Sequence, residues 1–225
     1  ERTWGLTPDD KGGAKAPFLL EINDMASEIE ICNIALSRIG NSRSINSMTE
    51  SSKEAVQCNL HYAQCRDSVL ADFPWNFATK KVALANTTNP PPNWAYAYRY
   101  PNDCLKAIGI VEPHQKYRRP DTAIHFHVGS DENGTGRLIF TDHPSAWLEY
   151  VARITDVNMF DALFKDALAW RLAAELARPL ASNAGIGGEA LQIYQGVIKS
   201  AAAHSLSESA EPTDYIDEFT LARLS

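Results

Sequence analysis

The pair His125-x-His127 is the first place in this chain where residue type and spacing suggest chemistry. Alternate residues on a strand point to one face, so two imidazoles there could share a metal ion. A third ligand would have to come from elsewhere, and no spacing selects among His114, Asp142 and His143. A solvated strand face is the commoner setting for two such histidines. The sequence therefore predicts no metal, with a metal-dependent hydrolase built on His125 and His127 as a distant alternative.

Cys58, His61 and Cys65 lie near one face of a helical pattern, at spacings of three, four and seven. A reactive cysteine needs an electropositive, partly exposed setting. Both cysteines instead fall on the apolar stripe, where free Cys behaves as a small hydrophobe. The run "GIGGEA" at 185–190 lacks the Lys-Ser/Thr of a phosphate-binding loop and the upstream strand of a dinucleotide fold, so it reads as a glycine-rich link. No G-x-S-x-G is present, and the carboxylates are dispersed. These residues predict a protein that is not an enzyme and carries no cofactor.

Composition narrows the classes further. A chain of 225 residues with 44% hydrophobic content can bury a core. No run approaches the roughly 18 apolar residues of a membrane span, and "ERTWGLTPDDKGG" lacks the regions of a signal peptide, so the expectation is a soluble, unexported protein with no membrane partner. Four scattered cysteines without a CxxC pair read as reduced thiols. The formal charge of −7, with "KYRRP" at 116–120 as the basic knot, disfavours tight binding to phosphate backbones. It remains compatible with a surface that lets DNA pass.

These residues sit on an α+β chain, mainly α, in which a helical bundle of about four helices carries an inserted small antiparallel β-sheet and extended termini. Residues 1–24 read as an extended arm, and Met25 as an initiator that would make the arm a non-native start. Residues 25–74 and 156–206 form the bundle. Ser27 with Glu30, and Ser51 with Glu54, are capping-box signals opening the first two helices. The second buries Ala55, Cys58, Tyr62, Cys65 and Val69 and must end near Phe73, because Pro74 disfavours helical geometry in the residue before it. Residues 75–155 are β-rich, with short runs at "NWAYAYRYP", "CLKAIGIVE", "AIHFHVG" and "RLIFTD" and an Asn-Gly hairpin signal within "SDENGTGR".

Helical periodicity returns after residue 156. Phe160, Leu163, Ala167, Trp170 and Ala174 make one stripe, and Phe164, Leu168, Leu172 and Leu176 a second, so this helix is central and ends at Pro179. A fourth runs from about Glu189 to Leu206 with Leu191, Tyr194, Ile198 and Ala201 inward. Residues 207–225 form a polar tail with apolar anchors, suited to docking on a partner or folding back on its own domain.

Three stretches carry a resemblance. "DSVLADFPWNFATKKVALA", then "YAYRYPNDCLKAIGI", then "YVARITDVNMFDALFKDALAWRLAAELA" resemble, in the same order, the tail tubular protein A family of short-tailed (podovirus) bacteriophages. The likeness covers about residues 27–206. It implies a structural virion protein of the tail or neck, a head-to-tail adaptor present in the host cytoplasm during assembly. The family forms a twelve-subunit ring between the portal protein and a tail nozzle of the tail tubular protein B kind, and DNA crosses the lumen without sequence-specific binding. By the same resemblance Tyr215, Ile216, Phe219 and Leu221 would anchor the tail on the portal. Pro74, Trp75 and Phe77 form a structural hinge, in which Pro74 breaks the second helix and the two rings pack the sheet on the bundle. The nearest rival is a neck or tail-completion protein of another phage type.

Overall fold

The computed structural model describes residues 28–87, 90–113, 123–131, 133, 134, 136–181 and 185–208. The arm at 1–24, the capping residue Ser27, the basic knot, His114 and the anchors Tyr215, Ile216, Phe219 and Leu221 lie outside them. The fold is α+β and mainly α.

The helices are α1 (28–38), α2 (Lys53–Asp72), α3 (Ala162–Leu180) and α4 (Gly185–Glu208). On α2 the stripe Ala55, Cys58, Tyr62, Cys65 and Val69 is buried as its spacing predicts. Its cap differs by one residue from expectation: Ser52, not Ser51, accepts from the Ala55 N–H at 3.2 Å. Phe73 then turns extended before Pro74. Asp161 caps α3 by accepting from Phe164 N at 2.6 Å, so Phe160 precedes the helix while still burying its ring. Pro179 lies inside the last turn of α3, which runs on to Leu180.

The glycine-rich run at 185–190 is not a link but the start of α4, four residues before the expected Glu189. A Cβ on Gly187 would stand 3.3 Å from the Ala174 carbonyl oxygen and 3.4 Å from Ala177 Cβ, so a bare glycine lets α4 approach α3. Tyr194 and Ala201 are buried and Ile198 is half-buried, but Leu191, expected inward, is exposed.

Between the helices the β region forms two sheets rather than one. The first has the order β1 (Thr79–Ala83), β7 (Trp147–Ala152), β4 (Cys104–Val111); the second has β2 (Asn86–Thr87), β3 (Tyr96–Arg99), β6 (Arg137–Thr141), β5 (Phe126–Ser130). All pairs are antiparallel, and β5 meets β6 across the predicted hairpin, with Ser130 opposite Arg137 and Gly134 at φ 67°. Strand β7 explains the layering. Leu148, Tyr150 and Ala152 face a core shared with Tyr98 and Ile139 of the second sheet, while Val151 faces the helical core. The order of layers is helices, three-stranded sheet, four-stranded sheet.

Candidate functional site: the junction of helices and sheets

The three stretches that carry the resemblance meet where α2 ends, α3 begins and the first sheet packs against both. Trp75 is 2% exposed and stands edge-on to Phe164, with ring centroids 5.2 Å apart at 88°. Phe77 meets Phe164 at 5.2 Å and Phe160 at 5.9 Å. Edge-to-face arrangements of this kind are favoured by the ring quadrupoles. Of the three residues read as a hinge, Trp75 and Phe77 share one aromatic cluster with α3, while Pro74 is exposed. Leu105 and Ile108 of β4 pack on the same core, which joins the first sheet to the bundle.

Polar contacts close the junction around this cluster. A helix leaves its last four carbonyls without intrahelical partners. Two of those of α2 are satisfied from outside the helix: Val69 by Trp75 Nε1 at 2.9 Å and Ala71 by Lys106 Nζ of β4 at 3.1 Å. Asp67 on α2 accepts from Arg66 and, at 2.8 Å, from Arg153 Nε just past β7. Asp103 accepts from Lys80 Nζ and Tyr150 Oη, each at 3.0 Å. Burial opposes ionisation of Asp103, but these hydrogen bonds outweigh it and hold the carboxyl below its usual range. Burial, followed by the bond to Asp103, pushes the Tyr150 phenol up to about 12. On the far side Tyr194 of α4 donates to Asp72 at 2.6 Å. Lys80 and Lys81 are exposed, yet each pairs with a carboxylate, Lys81 with Glu149 at 3.5 Å.

The junction borders open clefts. One of about 550 Å³ is lined by Phe73, Pro74, Asn76, Thr79, Ile108 and Glu149, among others. The arrangement positions the layers against one another and offers surface.

The other sequence candidates lie apart from it. His125 and His127 are exposed at the edge strand β5, where His127 stacks on Phe140 at 6.3 Å and 17°. Among the described residues no group of three His, Cys, Asp or Glu side chains is placed to hold a metal. Cys32, Cys58, Cys65 and Cys104 are all buried, and His61 sits at the edge of the α2 stripe. Burial pushes the Cys65 thiol up to about 11, away from a reactive thiolate. No helix of the described residues is long and apolar enough to cross a membrane.

Compared with known proteins, the chain matches no protein-family model and no curated protein.

Sequence reasoning missed the ion pairs Asp67–Arg153 and Lys80–Asp103, whose partners come from separate elements. It also missed that Val56 and Leu60 of α2 are exposed, at 52% and 65%. The signal for these two was available: they lie four residues apart, off the buried stripe, with uncharged Asn59, Ala63 and Gln64 between and beyond them.

Proposed function

We propose that this chain is a structural head-to-tail adaptor of a short-tailed phage, assembling as a ring between portal and tail nozzle and letting DNA pass through its lumen. The observation that carries this reading is the convergence of the resembling stretches. Residues 67–85, 96–110 and 150–177 are far apart in the chain, yet they supply Trp75, Phe77, Asp103, Lys106, Tyr150, Arg153 and Phe164 to one junction. Residues shared with a family for the sake of a common architecture should be those that hold the layers together.

One further observation supports it. The net charge of −7 gives DNA few cationic contacts that would retain its phosphates.

The test is the mass of the purified full chain alone, after mixing with portal rings, and after mixing with portal and nozzle, by native mass spectrometry or light scattering. The adaptor reading expects a defined multiple of the chain bound to each portal ring. Portal binding without a ring would point to a neck or tail-completion role, and indifference to portal would overturn both.

A further inference from the structure

The C-terminal end of α4 reaches the junction. Ser205 Oγ stands 3.2 Å from Asn76 Oδ1, and Ala202 and Ser205 wall one side of the cleft of about 550 Å³ that Phe73, Pro74 and Ile108 line on the other. Phe73 and Ile108 are half-buried and pack on the helical core, so the cleft has an apolar floor. Its polar lining is neutral or paired: Asn76 and Thr79 carry no charge, and Glu149 is engaged by Lys81 at 3.5 Å. A concave apolar floor with such a rim suits aromatic and aliphatic anchors rather than charged groups.

The chain leaves α4 at the mouth of this cleft. Glu208, the last residue of α4, comes one turn after Ser205, and Pro212 follows. Pro212 disfavours helical geometry at Glu211, so α4 does not carry straight on and the chain turns. Beyond it, Tyr215, Ile216 and Phe219 are spaced so that a helical turn gathers them on one side and sets Asp217 on the other. We infer that this segment, residues 213–221, docks in the cleft of its own chain, with Tyr215, Ile216 and Phe219 against Phe73, Pro74 and Ile108. The carboxylates of Asp214, Asp217 and Glu218 stay toward water.

Reach and tether select this occupant. From Ser205 to Glu208 the axis of α4 advances about 4.5 Å. The seven residues from Glu208 to Tyr215 can span about 23 Å, so the anchors return to the cleft with slack. Val56 and Leu60 on the outer face of α2 are also within the segment's reach, but they project from a helix surface, 52% and 65% exposed, and offer a ring contact on one side only. A second copy could present the same segment, but a short flexible tether gives the chain's own segment an effective concentration in the millimolar range, which a separate copy has to match. The inference goes beyond the adaptor reading and does not rest on it, because cleft, tether and anchors all belong to the single chain. Where that reading holds, the portal has to compete with the cleft for the anchors that the resemblance assigns to it.

The experiment pairs Asn76→Cys with Phe219→Cys in one full-length chain, at low micromolar concentration under mild air oxidation. Asn76 is exposed, and the native cysteines are buried. The control pairs Leu60→Cys with Phe219→Cys. The tether allows that pair too, since the eleven residues from Glu208 to Phe219 can span about 36 Å and α2 covers about 18 Å from Asp72 back to Leu60. The expected result is an intramolecular disulfide at Asn76→Cys in a yield about tenfold above the control. Tyr215→Ser combined with Ile216→Ser, which leaves the described layers untouched, should bring that yield down to the control's. In the chain without added cysteines, the same two serines should speed cleavage after Glu218 by a glutamate-specific protease about tenfold, because cleavage follows the population of the undocked segment. Equal yields at the two positions, a yield or cleavage rate indifferent to the serines, or a product that is a covalent dimer would overturn the inference.

Discussion

Trp75 Nε1 donates to the carbonyl of Val69 at 2.9 Å, so the residue that follows the helix break closes the helix it leaves. The indole fills the space between α2 and α3 and stands edge-on to both Phe73 and Phe164. One side chain therefore satisfies a helix terminus, seals the aromatic cluster and sets the direction in which the first sheet departs.

Replacing that side chain separates the two contributions. Trp75→Ala removes a fully packed indole and should destabilise the fold by about 3–5 kcal/mol, as large-to-small changes of aromatics do. Trp75→Phe keeps much of the packing but leaves the buried Val69 carbonyl without its partner, a cost of about 1–3 kcal/mol. Urea midpoints of the two variants, compared with the parent at constant m-value, check both.

At the alkaline end, the fold should lose stability as pH rises above 10. Tyr100 and Tyr150 are pushed up to about 12, chiefly by burial, and burial also raises Tyr62 and Tyr194. A phenol whose folded pKa exceeds its unfolded value contributes stability that is whole below about pH 10 and disappears as pH climbs through the folded value. Asp103 acts in the opposite direction. Its lowered pKa contributes stability present above the ordinary carboxylate value of about 3.8 and lost as pH falls through the folded one. Urea midpoints should therefore decline between about pH 10 and 12, and Tyr150→Phe should flatten part of that decline. Phenolate absorbance should show these four tyrosines ionising late in the folded protein.

The thiols give a direct test of the helical core. Cys32, Cys58, Cys65 and Cys104 are buried. Cys32 donates toward Met48 Sδ at 3.8 Å, and its hydrogen bond with Cys58, together with burial, holds it protonated. An aromatic disulfide reagent at neutral pH should leave all four unreacted in the folded protein and modify all four in denaturant. A fast Cys32, Cys58 or Cys65 in the native state would show that the helical core opens, and a fast Cys104 that the core between the sheets does.

Gly129 is a packing test for the second sheet. A Cβ there would fall 2.6 Å from Phe140 Cε2, the ring that His127 stacks on. Gly129→Ala should cost about 1–3 kcal/mol through displacement of that ring. Phe140→Leu in the same background should recover part of the loss if the clash is its cause, which thermal unfolding would measure.

Much of the architecture is legible from local chemistry. Pro74 announces the end of α2, Asn133-Gly134 announces the β5–β6 hairpin, and the apolar stripe of α2 names its own buried face. Strand β7 is not legible in the same way. "WLEYVA" faces one core with Leu148 and Tyr150 and another with Val151, so it lacks the alternation that betrays a half-buried strand. The start of α4 is hidden for a different reason. Gly185, Gly187 and Gly188 read as a link because glycine is a poor helix former, and only the close approach of α3 makes Gly187 useful there.

By itself the sequence determined the types of element, the turn chemistry that separates them and the residues of a single helical core, because capping, proline geometry and periodicity act within a few residues. Tertiary structure alone decided the split into two sheets, and the meeting of Asp67 with Arg153 and of Lys80 with Asp103. Each of those depends on which distant element packs against a given face, and no local pattern encodes that choice.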